Sequence, residues 1–166
     1  MTSGSWSRPA CDAQRAVDVG ISTDLKVGLA QMLDDAGAVT WTPSGAVDVS
    51  ATPPPIFMTI YPAKPDVAAA LTTYYPGGDE PTLSGSLINL QVRTRSSREV
   101  ETACDDLDDA ISAHLLGHWP QVLSTGVRVT TIWRISGSPI GRDAAGRMER
   151  TTNYTVRVYD PGPYRG

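Results

Sequence analysis

Apolar and polar residues alternate most clearly between Ser86 and Gly117, and the period of that alternation changes part-way along. From Ile88 the apolar side chains take every second position, Ile88, Leu90 and Val92, with Asn89, Gln91, Arg93 and Arg95 between them. A period of two is that of a strand with one buried face. Past Arg95 the spacing turns helical: Val100, Ala103, Cys104, Leu107, Ala110, Ile111 and Leu115 share one face, Ser96 and Glu99 stand as a capping box, and Gly117 stands as a C-terminal stop. The pattern predicts a strand feeding directly into an amphipathic helix, with Ile88, Leu90, Val92, Val100, Cys104, Leu107 and Ile111 in the core.

The rest of the chain is read around this pair. Leu25, Leu29, Met32, Leu33 and Ala36 form a helical stripe closed by Gly37, with Leu29 and Leu33 as core positions. Val39 to Trp41 predicts a short strand, Thr42 to Pro55 a loop, and Ile56 to Tyr61 a strand stopped by Pro62. Val67 to Tyr75 predicts another strand despite its three alanines, and Pro76 to Pro81 a turn. After a loop through His118, Trp119 and Pro120, Val127, Val129, Trp133 and Ile135 alternate with Arg128, Thr130 and Arg134, which assigns Trp133 to the core. Tyr154, Val156 and Val158 alternate with Asn153, Thr155 and Arg157, so the two last strands form a hairpin. The expected fold is α+β: a mostly antiparallel, mixed sheet with two amphipathic helices packed on one face, ending in a long β-hairpin. Residues 1–20 are expected to be an N-terminal extension, 21–161 a single domain, and 162–166 a C-terminal tail.

Composition narrows the functional classes. A chain of 166 residues with 40% hydrophobic and 19% charged residues is long enough for one ordinary core, burying roughly 70% of the surface its unfolded form exposes. The net charge of −4, with basic residues scattered along the chain, argues against sequence-specific or general nucleic-acid binding. No segment approaches the ~20 apolar residues of a membrane span, and the first residues hold no signal-peptide-like apolar run, so a reducing cytosol is the expected setting. Cys11 and Cys104, one in the extension and one in the core stripe, are not expected to form a disulfide.

Candidate chemistry fails at each site where it suggests itself. Gly141 to Met148 has the glycine spacing of a phosphate-binding loop, but Arg147 stands where the lysine belongs, Met148 cannot ligate magnesium, and a strand follows instead of a helix. A long hairpin loop whose glycines permit positive φ, and whose Asp143 and Arg147 either pair with each other or touch a neighbour, is the better account. His114 and His118 echo a zinc-protease spacing, but Leu115 replaces the glutamate and Gly117 interrupts the helix. Glu99, Glu101, Asp105, Asp106, Asp108 and Asp109 fall mostly opposite the apolar stripe, as a solvated or partner-facing surface would. No nucleophile elbow occurs, and no catalytic residue, metal or cofactor is expected. A small nucleotide-binding or hydrolytic enzyme is the alternative from another class. Arg93 and Arg95 share the polar face of the central strand, where two readings stand about even: they meet carboxylates of a neighbouring subunit, or they are solvated surface arginines.

The order of these motifs, an LAQML helix from Leu29, a strand run ending in Tyr74-Tyr75, the strand LQVRTR, the acidic helix, and the hairpin ISGSPIGRDAAGRMERTTNYTVRVY, resembles the tail terminator proteins of long-tailed bacteriophages, also called minor capsid or neck proteins. The resemblance spans roughly Thr23 to Pro161. It implies a virion structural protein of the tail or neck, assembled in the host bacterial cytoplasm as a hexameric ring that caps the tail tube, ends its polymerisation and provides the docking surface for the head connector. The implied partners are further copies of the chain, the tail tube protein and the head-tail connector protein; another connector or tube component is the nearest alternative. Arg93, Arg95, Arg142, Asp143 and Arg147 are the residues then expected at subunit or tube contacts.

Overall fold

The computed structural model describes residues 20–46, 48–77, 85–117 and 119–159. Residues 1–19 of the expected N-terminal extension with Cys11, residues 78–81 of the turn, His118 and the C-terminal tail lie outside them. Eight elements follow in the order α1 (Ile21–Asp35), β1 (Ile56–Met58), β2 (Ala68–Tyr74), β3 (Gly85–Arg95), α2 (Ala103–Leu115), β4 (Gln121–Val122), β5 (Arg128–Arg142) and β6 (Met148–Tyr159). They make one six-stranded sheet in the order β1-β2-β3-β6-β5-β4, antiparallel except for the β1–β2 pair. This is the expected α+β fold.

One face of the sheet carries the core. Register aligns Leu71 with Val92, Leu90 with Tyr154, and Ile88 with Val156, so their side chains form continuous apolar rows. Leu25, Leu29 and Leu33 of α1 and Leu107, Ile111 and Leu115 of α2 pack on those rows, all at least 95% buried. Each such side chain stabilises the fold by about 1.5–3 kcal/mol relative to exposure. Gly28 lets α1 approach the segment after β4, where a Cβ would come within 2.7 Å of the Leu123 side chain and 2.8 Å of Thr125 Oγ1. Near that contact the Thr125 hydroxyl donates to the Asp24 carbonyl at 2.8 Å.

Three expectations are corrected. The capping box does not form: Ser96 follows directly on β3 and is still bonded to β6, its N–H donating to the Met148 carbonyl at 2.9 Å, and α2 begins only at Ala103, with no side-chain cap. Val100 therefore precedes the helix and is exposed instead of buried. Trp133 is also not a core residue. Val129 pairs with Val158 and Thr131 with Arg157, which leaves Thr130 as a bulge, so the inward residue after Val129 is Ile132 and Trp133 turns to the opposite face. The acidic helix, finally, is not wholly solvated. Asp108 stands four residues after Cys104 and three before Ile111, on the packed side, where it is buried and accepts from Thr152 Oγ1 at 2.9 Å and Arg150 Nε at 3.3 Å.

Candidate functional site

The face of the sheet away from the helices is where the polar residues of the strands converge, and its two ends are built differently. At one end the chain leaves β1 through Thr59, whose φ of 72° lies in the left-handed region that costs a non-glycine residue about 1–2 kcal/mol. Hydrogen bonds hold it there: its N–H donates to the Leu71 carbonyl at 2.7 Å, and its carbonyl accepts from Thr72 Oγ1 at 3.1 Å. Residues 60–67 then run past β3 and β6 as a strap. Ala68 and Ala70 of β2 are fully buried next to Arg95 and Arg93 in the register, where larger side chains would compete with the strap for space.

Under this strap lies a cluster of charges. Arg95, only 3% exposed, donates to the carbonyls of Pro62 (3.0 Å), Pro65 (2.5 Å) and Asp66 (3.0 Å), and its guanidinium stacks 4.3 Å from the centroid of Tyr61. Arg93 pairs with Glu149 at 2.5 Å, and Glu149 also accepts from the Tyr61 hydroxyl at 2.7 Å. Arg147 bridges Asp143 (2.7 Å) and Asp66 (3.1 Å) and donates to the Ala63 carbonyl at 2.6 Å. Burial pushes the Tyr61 hydroxyl well above its ordinary pKa, and the hydrogen bond to Glu149 adds to that shift. Burial also lowers the pKa of Arg95, with the neighbouring charge of Arg147 acting in the same direction. An arginine nonetheless keeps its charge across the working range.

The β5–β6 turn closes this end. Asp143 Oδ1 accepts the N–H groups of Ala145 and Arg147, each at 2.9 Å, and Gly146 takes φ 79°. The hydrogen bonds from Arg147 hold the Asp143 carboxyl at a pKa of about 2. Arg142 pairs with Glu101 and donates to the Gly146 carbonyl at 2.7 Å, which ties the turn to the segment before α2. The structure thus gathers Arg93, Arg95, Arg142, Asp143 and Arg147 at one end of the sheet and gives each a partner inside the same chain. The strap is absent from the expectations drawn from sequence, which place Arg95 on the surface. The signal is there in Tyr61-Pro62-Ala63-Lys64-Pro65-Asp66, a stretch too proline-rich for a strand, whose carbonyls need donors.

The middle of the face is a neutral ladder, with Gln91 donating to Asn153 (3.1 Å), Asn153 to Ser136 (3.0 Å) and Thr155 to Asn89 (2.9 Å). At the far end nothing described covers the sheet. Register places Tyr159, Arg128 and Val122 in one row across β6, β5 and β4, Leu87 beside Arg157 in the next, and Trp133 beside Thr155 in the third. Leu87, Val122, Trp133 and Tyr159 are all more than a third exposed. Arg128 stacks on Tyr159 at 5.4 Å, and neither Arg128 nor Arg157 has a carboxylate partner among the described residues.

Enclosed chemistry is hard to place on this frame. A hollow of about 640 Å³ opens between residues 49–55 and 64–67, and its two charged lining groups, Lys64 and Asp66, pair with each other at 3.3 Å. Among the described residues no cluster of three His, Cys, Asp or Glu side chains is spaced to hold a metal ion. No helix among them is long and apolar enough to cross a membrane.

The described chain thus presents a sheet with helices on one side and, at the uncovered end of the other side, a partly aromatic and cationic surface. The sequence matches the family described as bacteriophage tail terminator protein over residues 32–160, and the chain belongs to that family. The fold is shared with a chain of the virion of a native gene transfer agent particle, with a TM-score of 0.59 and 14% identity over 84% of this chain and 98% of that one. No curated protein matches the sequence.

Proposed function

We propose that the chain assembles as a ring on the end of a phage tail tube, where it stops polymerisation and presents the surface on which the head connector docks. The observation that carries this reading is the family match over residues 32–160. The fold supports it, because helices on one side and an open sheet face on the other leave each protomer with two unlike surfaces. Unlike surfaces meet head to tail, and such contacts make a ring when the rotation from one copy to the next closes. Of the five residues first expected at contacts, Arg93 and Arg142 keep side chains 40% and 46% exposed, so they are the two a neighbour can still reach. The functional role is therefore assembly in the virion, with no catalytic step.

The test is to add the purified chain to tail tubes growing from purified tube protein and follow length and end structure by electron microscopy. The expected result is a discrete ring on one tube end and growth arrested at that end. Tubes that lengthen unchanged, or the chain entering the tube wall as a repeating component, would overturn the reading.

A further inference from the structure

The uncovered end of the sheet face has the chemistry of an interface. Leu87, Val122, Trp133 and Tyr159 surround Arg128 and Arg157, and aromatic side chains with arginine are the groups enriched where proteins dock. Both guanidiniums lack a carboxylate in the described chain, unlike Arg93, Arg142, Arg147 and Arg150, each of which has at least one. The neighbouring edge of β5 is a poor docking strand, because Pro139 and three register breaks interrupt its hydrogen-bonding groups. A partner is therefore expected on the face.

The complementary surface is on the same molecule, on the far side of the fold. Asp106, Asp109, Ala110 and Ala113 form the exposed side of α2, at helical spacing opposite Cys104, Leu107 and Ile111. Neither Asp106 nor Asp109 has an ion-pair partner among the described residues, and the two alanines allow a flat approach. Two copies of the arginine patch facing each other would juxtapose like charges, which disfavours a two-fold contact. We infer that the Arg128–Arg157–Trp133 end of the sheet in one copy docks on the Asp106–Asp109–Ala113 side of α2 in the next. This deepens the ring reading and rests on it, since the two surfaces lie on opposite layers of the protomer and the contact is head to tail.

A reciprocal charge exchange tests the pairing. Full-length R128E/R157E and D106K/D109K chains are each added to tail tubes, alone and as an equal mixture, and rings are counted by electron microscopy and mass measurement. Thermal melting checks that each variant folds. Each variant alone should form at least about tenfold fewer rings than wild type, because every contact then carries like charges. The mixture should restore rings of alternating composition. At one contact the carboxylates introduced by R128E/R157E would face the ammonium groups introduced by D106K/D109K, and at the other the native pairing would remain. Folded variants that assemble alone as well as wild type would overturn the inference, and so would a mixture that stays unassembled. Variants that form free rings but no longer sit on tubes would show that the patch meets the tube protein instead, which also overturns it. If wild type itself forms no ring, the functional reading fails first and this one falls with it.

Discussion

The two ends of the helix-free sheet face carry the same kind of residue and treat it in opposite ways. At the strapped end, arginines are bonded within the chain: Arg95 to three carbonyls, Arg93 to Glu149, Arg147 to Asp143 and Asp66. At the open end Arg128 and Arg157 stand beside exposed aromatic and aliphatic side chains, with no carboxylate partner among the described residues. The strap makes the difference. Where residues 60–67 cross, the strand arginines serve folding; where no described segment crosses, they are free to serve binding. The two ends should therefore respond oppositely to mutation, stability changing at one and assembly at the other.

The largest effect is expected from Arg95→Ala. It removes a buried cation and leaves the carbonyls of Pro62, Pro65 and Asp66 without donors, while Tyr61 loses the group stacked on its ring. Hydrogen bonds to a charged group contribute about 1.5–3 kcal/mol each, but the strap can move out to water, so a loss of about 2–4 kcal/mol is expected. Chemical denaturation would measure it. A loss under ~0.5 kcal/mol would mean that the strap does not depend on Arg95 and that the two ends are more alike than their geometry suggests.

A smaller effect is expected from Tyr61→Phe, and it has a pH signature. The pKa of the folded-state hydroxyl is raised by burial and by its bond to Glu149, so its contribution to stability is fully present below the unfolded value of about 10. It is lost as pH rises past that value towards the higher folded one. Wild type should thus become less stable above about pH 10, whereas Y61F should lose roughly 1 kcal/mol, up to about 3, at neutral pH and show a flatter alkaline limb. Equal alkaline limbs in the two proteins would remove Tyr61 from the strap's support.

Much of this contrast lies beyond the reach of the sequence, for identifiable reasons. The alternation of Ile88, Leu90 and Val92, and of Tyr154, Val156 and Val158, fixes which face is buried, and both elements fold as that pattern requires. The α2 stripe of Cys104, Leu107, Ile111 and Leu115 is equally legible, although Ala110, read on the same face, is exposed. The start of α2 is not, because a serine followed three residues later by glutamate looks the same whether it caps a helix or extends a strand. Trp133 is misplaced by alternation because a bulge adds one residue without any marker in composition, and one residue reverses every later side chain. The roles of Arg93 and Arg95 are hidden for another reason: period two places both on the polar face, but only the path of a non-adjacent loop decides whether that face is covered. Arg128 and Arg157 carry the same local signature as Arg95, and alternation alone cannot separate them.

The smallest effect is expected at the open end and is the sharpest check on the comparison. Arg157→Ala and Arg128→Ala each remove an exposed guanidinium without an ion-pair partner among the described residues, so no buried acceptor loses its donor. Surface substitutions of this kind change stability by no more than about 0.5 kcal/mol, and a stacked arginine such as Arg128 on Tyr159 adds roughly 0.5–1 kcal/mol at an exposed site. Denaturation curves of R157A should therefore overlay wild type, and those of R128A should shift slightly. A loss of about 2 kcal/mol or more, on the order of that expected for Arg95, would mean that a segment of the chain does cover this end and that its arginines are structural after all. An unchanged R157A curve together with weakened ring formation would separate the two ends cleanly, because a side chain that folding does not use would then be one that assembly needs.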